Sequence, residues 1–157
     1  MKILSAKPGL LQIEMEDKGD WHLFTSITGD AVSLDRKLSH WLGEHITDEE
    51  VTLDWLDYIV PELEDRFTEA VLHVTTAIAS ARVEFIDGPG VIQIRAEDSF
   101  LWYSTLNQAR LALEERYQFG SGEDNDSEIL PPNQKSAFLR SRFYCAIQSL
   151  ILEHVME

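Results

Sequence analysis

Asn107 and Arg110 are the residues whose types and spacing could best do chemistry in this chain. With Tyr103 and Glu114 they form a line at helical spacing within the segment 91–118, about 100° around the predicted helix from its apolar stripe. Two interpretations of this line stay open. In the first, which we favour because a polar residue beside a buried stripe needs a partner, Arg110 binds an acid on another helix and Asn107 satisfies a backbone group. In the second, the line borders a polar groove that receives an anionic or peptide ligand.

The remaining motifs supply no catalytic constellation. His40 and His45 are five residues apart, which on a helix separates them by about 140°, so they cannot chelate one ion as an i, i+4 pair does. The segment 124–128 resembles the start of a calcium loop, but Ile129 replaces the required glycine and Lys135 stands where the bidentate glutamate belongs. We therefore predict no catalytic residue, no metal site and no cofactor, and an enzyme is the less favoured class.

The charge of the chain limits its partners. It has 28 acidic and 13 basic residues, for a formal net charge of −15. Such a field repels phosphate groups, and no dense basic patch offsets it, so we expect no nucleic-acid partner and no anionic membrane partner.

The single cysteine, Cys145, excludes an intramolecular disulfide and fits a reducing compartment. No apolar run approaches the roughly 20 residues of a membrane helix, and the N-terminus does not have the pattern of a signal peptide. We expect a cytoplasmic protein.

Helix and turn signals predict a mainly α fold. We expect one domain over residues 1–157, built as an irregular bundle of about five helices with a small sheet from a strand at 9–16 and a hairpin around Gly88-Pro89-Gly90. The segment 119–131 is rich in glycine, serine and acids and is predicted to be a mobile acidic loop.

Apolar stripes define the helices in more detail. Thr47-Asp48-Glu49-Glu50 is a capping box for a helix that Pro61 either ends or separates from the next one. Three buried stripes are expected. The first is Val51, Trp55, Leu56 and Ile59 in that helix, and the second is Trp102, Leu106, Ala109, Leu113 and Tyr117 in the long helix after 95. The third is Leu139, Phe143, Ala146, Leu150 and His154 in the last helix, with Ile147 beside them.

Three stretches carry a family resemblance. They read PELEDRFTEAVLHVTTAIAS at Pro61–Ser80, VIQIRAEDSFLWYSTLNQARLAL at Val91–Leu113 and FYCAIQSLILEHV at Phe143–Val155. In order and pattern they resemble the DUF2017 family of uncharacterised bacterial proteins, whose Leu-Asn-x-x-Arg-Leu core is similar to residues 106–111. In some actinobacteria, members of that family are encoded beside an adaptor of the Clp protease, so the resemblance also implies a bacterial protein and makes an adaptor-type role conceivable.

The favoured function is that of a noncatalytic protein–protein interaction or regulatory, adaptor-type protein. The alternative is a small-ligand-binding protein or enzyme that uses a polar groove around Asn107 and Arg110, with Tyr103 and Glu114 beside them. A third possibility is a subunit of a homo-oligomer, which would show a buried symmetric interface. The sequence identifies neither the partner nor a substrate.

Overall fold

The computed structural model of the chain describes residues 1–34, 37–82, 88–119 and 130–156. Within these ranges a three-stranded sheet packs with a set of helices, and the expected mainly α fold with a small sheet is confirmed. The predicted loop 119–131 lies almost wholly outside the described residues, as does the segment 83–87. The elements are β1 (Lys2–Lys7), β2 (Leu10–Met15), α1 (Lys18–Ala31), α2 (Leu38–Leu42), α3 (Glu49–Asp54), α4 (Val60–Arg82), β3 (Gly90–Arg95), α5 (Ser99–Tyr117) and α6 (Pro132–His154).

The sheet is antiparallel, with β2 between β1 and β3. β1 was not predicted from the sequence, although the Pro8-Gly9 turn that joins it to β2 is a recognisable hairpin signal. Gly9 has a φ of +78°, a backbone conformation that side-chain-bearing residues rarely adopt. β3 pairs with β2, in a register that places Ile92 opposite Ile13, so the N-terminal hairpin and the strand after Gly88 build one sheet.

The core lies between the buried face of this sheet and helices α1, α4, α5 and α6. The stripe predicted for α5 is confirmed at Trp102, Leu106, Ala109 and Leu113, which are all buried, while Tyr117 is half-buried. Phe24 of α1 meets Trp102 edge-on, with ring centroids 6.3 Å apart.

The face predicted for α6 was wrong in part: Ile147 is buried and Phe143 and Leu150 pack against the core, but two of its residues are exposed. Leu139 is 52% exposed, and Ala146 is exposed as well. The buried residues of α6 include Tyr144 and Gln148, whose polar groups are hydrogen-bonded to α1 and α5. Those hydrogen bonds offset the cost of burying polar side chains. The inner face of α6 therefore includes polar residues and is not its most apolar stripe.

The segment from Glu49 to Arg82 forms one long helix rather than the two that Pro61 suggested. A π-helical turn, Trp55–Ile59, joins α3 to α4, and the Val60 amide donates to the Trp55 carbonyl five residues back. Pro61 has no amide hydrogen and its ring crowds the carbonyl four residues earlier, so a wider turn just before it lets the helix continue. The helix is capped by Asp48, whose Oδ1 accepts from the Glu50 and Val51 amides at 3.0 and 3.1 Å, and not by Thr47.

Candidate functional site

Arg110 is hydrogen-bonded to Gln148 of α6. Its Nη1 donates to Gln148 Oε1 at 2.6 Å, and Gln148 Nε2 donates to the Tyr103 carbonyl at 3.3 Å. The favoured clamp between helices is therefore present in outline, but its partner is a neutral, buried amide and not the expected carboxylate. Arg110 Nε is buried and has no hydrogen-bond partner within the described residues.

The other residues of the predicted line do not converge on one point. The side chain of Asn107 is exposed, and the backbone hydrogen bond expected of it is absent among the described residues. Tyr103 and Glu114 are half-buried. The interior polar group of this region is Gln108, the next residue along the helix, which is only 5% exposed. The sequence did not point to Gln108, because a glutamine that lies outside the predicted polar line is usually exposed to solvent.

A second interior polar cluster joins α1 to α6. Asp30 Oδ2 accepts from Arg140 Nε and from Tyr144 Oη, both at 2.7 Å, and Asp30 Oδ1 accepts from Arg140 Nη2 at 3.1 Å. The hydrogen bond that Arg140 donates to Asp30 raises the pKa of the Arg140 guanidinium. Burial, followed by the bond to Asp30, raises the pKa of the Tyr144 phenol. A carboxylate near the C-terminal end of a helix meets an unfavourable dipole, which the cation Arg140 offsets. The cluster therefore anchors the end of α1.

A groove lies beside that anchored end. It encloses a volume of about 480 Å³ between the residues that end α1, helix α2, one face of α4 and Gln108 of α5. Its walls are mostly apolar, with Val32, Phe67, Val71 and Leu72 among them. At one end, Lys37 Nζ lies 3.0 Å from Glu64 Oε2, and Glu64 also accepts a hydrogen bond from Ser39.

Gln108 gives the groove a polar floor. Its Nε2 donates to the Phe67 carbonyl at 3.5 Å and to Ser104 Oγ at 3.4 Å, both at the long limit for hydrogen bonds. Within the part of the chain that the structure describes, no group donates to the Gln108 carbonyl oxygen. A ligand with an N–H or O–H group could therefore bond to it.

We call residues 38–59, which comprise α2, the connection to α3, α3 itself and the π turn, the arm. α2 contacts the long helix where Trp55 Nε1 donates to the Ser39 carbonyl at 3.1 Å. Gly43 permits this contact, since a Cβ there would lie 2.3 Å from Trp55 Nε1. In contrast to the sequence expectation, neither α3 nor the π turn buries a single residue.

The outer part of the arm therefore exposes its apolar side chains. They are between 39% and 71% exposed and stand close together along the helix: Val51, Leu53, Leu56, Tyr58 and Ile59. Four carboxylates alternate with them and make no ion pair within the described residues: Glu49, Glu50, Asp54 and Asp57. We call these nine residues the arm surface.

No cluster suited to metal chemistry appears in the described ranges, where no three His, Cys, Asp or Glu residues are grouped as ligands. His40 and His45 are both exposed. The calcium-like segment 124–128 lies outside the described residues. Cys145 is half-buried. None of the helices in the described part of the chain has the length and apolar character needed to cross a membrane.

Comparison with known proteins gives one match. The family model described as "Domain of unknown function (DUF2017)" matches residues 13–154, which is nearly the whole chain. No curated protein and no solved structure matches it.

Proposed function

The chain belongs to the DUF2017 family, whose description assigns no activity, and we propose that it is a noncatalytic interaction protein of regulatory or adaptor type that acts in the cytoplasm. The observation that carries this proposal is the arm surface. The single cysteine supports the cytoplasmic assignment, because it fits a reducing compartment.

The arm surface has no role in the core, because α3 and the π turn bury no residue. Single exposed apolar residues are ordinary on a protein surface, but five of them within nine consecutive positions of one helix are typical of a contact site for another macromolecule. Tyr58 is the most exposed of the group, at 71%, and tyrosine is one of the residue types enriched at binding hot spots. A partner that covers this group would remove its apolar area from water.

The proposal is tested with a double variant, Leu53→Ser with Tyr58→Ser, and a matched control, Phe100→Ser. Phe100 is 70% exposed, close to the value for Tyr58, but it lies at the start of α5. The start of α5 contacts the long helix at His73, whose Nε2 is 3.4 Å from Asp98 Oδ1. His73 is roughly 20 Å along that helix from Ile59, so the control lies far from the arm surface. Both the double variant and the control should have the same circular dichroism spectrum as the wild type.

The measurement is affinity capture from a native lysate with the wild-type chain and both variants as bait. We expect a set of proteins that the wild type and Phe100→Ser retain and the arm variant loses. If the three baits retain the same proteins in the same amounts, the arm surface is not the contact site and the proposal is wrong.

A second candidate function, the binding of a small ligand, is supported by the groove. Its volume of about 480 Å³ is in the range of small-molecule sites, and the Gln108 oxygen offers a hydrogen-bond acceptor. The relevant polar group would be Gln108 rather than Asn107 or Arg110. A thermal-shift screen of apolar compounds with an N–H group should then find ligands that stabilise the wild type but not Thr68→Trp, which fills the groove from its exposed rim. Equal shifts for both proteins would contradict this function.

A further inference from the structure

We propose that the arm surface binds a basic amphipathic helix of a partner protein. This inference rests on the proposed function and specifies the chemistry of the partner. Three properties of the arm support it: its local charge, the alternation of that charge with apolar side chains, and its helical form.

The negative charge of the chain is concentrated on the arm and its base. Nine acidic residues lie between Lys37 and Arg66, which are the only basic residues of that segment apart from two histidines, so its formal charge is −7 out of −15 for the whole chain. Lys37 pairs with Glu64, and Arg66 pairs with Glu62, so both of these cations are already engaged at the base of the arm. A ligand that covers the outer arm therefore has to bring its own positive charge.

The alternation of carboxylates with apolar side chains on the arm determines which chemical groups the partner needs. Along Glu49–Ile59, carboxylates and large apolar side chains are interleaved within a few residues of one another. A partner that only buried the apolar groups would also cover the carboxylates and remove them from water, which is costly without compensating bonds. Lysine and arginine beside leucine-like residues satisfy both requirements, because their charged ends bind carboxylates while their stems cover apolar surface.

The helical form of the arm favours a helical partner. The ridges of one helix pack between those of another, and an apolar stripe with flanking charges is the usual pattern of such pairs. α2 already occupies one side of the long helix through Trp55 and Ser39. A helix laid on the arm surface would add a third helix to this pair.

Charge also argues against the other occupants of this surface. In a symmetric dimer the arm surface would face its own copy, and like charges would be brought together. An anionic lipid surface is disfavoured for the same reason. A separate protein with a basic, amphipathic segment is the occupant that the observations favour.

The experiment uses two synthetic probes and the full-length chain. Both probes are alanine-based helical peptides of roughly 18 residues with leucine at helical spacing, and they differ only in having lysine or glutamate on the flanks of the stripe. Fluorescence anisotropy of the labelled peptides measures binding at about 50 mM and about 300 mM salt. We expect the lysine peptide to bind, more weakly at the higher salt, and the glutamate peptide not to bind.

Variants then locate the binding site. Leu53→Ser with Tyr58→Ser should weaken binding of the lysine peptide about tenfold, which is about 1.4 kcal/mol. Asp54→Asn with Asp57→Asn should weaken it roughly two- to fivefold and reduce its salt dependence. The matched controls are Phe100→Ser for the apolar change and Glu97→Gln with Glu153→Gln for the charge change, and both should bind as the wild type does.

The outcomes separate this inference from the proposed function. If the apolar arm variant weakens binding but both peptides bind equally, and neutralised carboxylates have no effect, the arm is a contact site but its partner is not basic, and the inference is wrong. If the arm variants bind the lysine peptide like the controls do, the peptide binds the acidic chain nonspecifically, which overturns the inference and leaves the proposed function to the lysate capture. Absence of binding by either peptide, or a stable dimer that the arm variant dissociates, also overturns the inference.

Discussion

Tyr144→Phe removes a single hydroxyl group from the cluster that anchors α1 to α6. Tyr144 is fully buried, and its hydroxyl donates to Asp30 Oδ2 at 2.7 Å. The phenylalanine ring keeps the shape of the side chain, including its edge-on contact with Phe143. Asp30 retains the two bonds from Arg140. The substitution therefore isolates one hydrogen bond to an ionised carboxylate.

The expected loss follows from that bond. Hydrogen bonds to charged groups contribute about 1.5–3 kcal/mol. Because Arg140 continues to neutralise Asp30, we expect the free energy of unfolding to fall by roughly 2 kcal/mol, which is roughly 4–8 °C in Tm for a chain of this length. Urea unfolding at neutral pH measures the loss. Tyr103→Phe is the control, since its hydroxyl makes no hydrogen bond within the described residues, and it should change stability by less than about 0.5 kcal/mol.

The same variant has a pH dependence of known sign. The folded state raises the pKa of Tyr144 above its ordinary value of 10.0, so the folded protein keeps the phenol neutral at pH values where the unfolded chain ionises it. The contribution of Tyr144 is complete below pH 10 and falls as the pH rises above it. The difference in stability between wild type and Tyr144→Phe should therefore shrink by roughly 1.4 kcal/mol at about pH 11. An unchanged urea midpoint at neutral pH, or a difference that stays constant up to that pH, would refute the role assigned to this hydroxyl.

Three further outcomes are expected. Arg110→Met should cost about 1–2 kcal/mol, because the buried Gln148 oxygen loses its donor while a buried N–H group without a partner is removed; a loss above about 3 kcal/mol in urea unfolding would point to a carboxylate partner. Gly43→Ala should push Trp55 away from Ser39 and speed hydrogen exchange in residues 38–59 roughly fivefold, with the core unaffected; equal exchange would mean that the arm does not depend on this contact. The chain should show no useful affinity for duplex DNA at physiological salt, and tight, salt-sensitive binding in a titration would contradict that.

Local patterns were sufficient to predict most elements of the fold. The apolar period of α5 identifies residues that are buried, such as Trp102 and Leu106. The same reasoning failed on α6, where it selected Leu139 over Tyr144. Tyr144 is inside because Asp30, which is 114 residues earlier, accepts a hydrogen bond from its hydroxyl. A contact between residues so distant in sequence is not visible in the local pattern of apolar residues. Periodicity alone therefore could not identify the buried face of α6.

The candidate sites show the same limit. Arg110 was rightly placed at a contact between helices, but the residue that receives it, Gln148, is an amide that sequence reasoning had not paired with it. The stripe that includes Val51 and Ile59 has the spacing of a buried helix face. A stripe of this kind shows that a helix needs a partner, but it does not show whether the partner is in the same chain. In the structure, α2 partly covers Trp55 of that stripe, and the described residues of this chain leave Val51, Leu56 and Ile59 exposed.

The two parts of the long helix are therefore physically distinct. Toward its C-terminal half it contributes Val74 and Ile78 to the core, whereas its first two turns contribute nothing buried. A helix of only a few turns is marginal in water, so these turns depend on their continuation into α4 and on the contact between Trp55 and α2. The carboxylates among the apolar residues raise the cost of self-association and keep the exposed group in solution. Substitutions at Leu53 or Tyr58 should thus alter binding without altering folding, and this independence makes the arm surface a direct test of function.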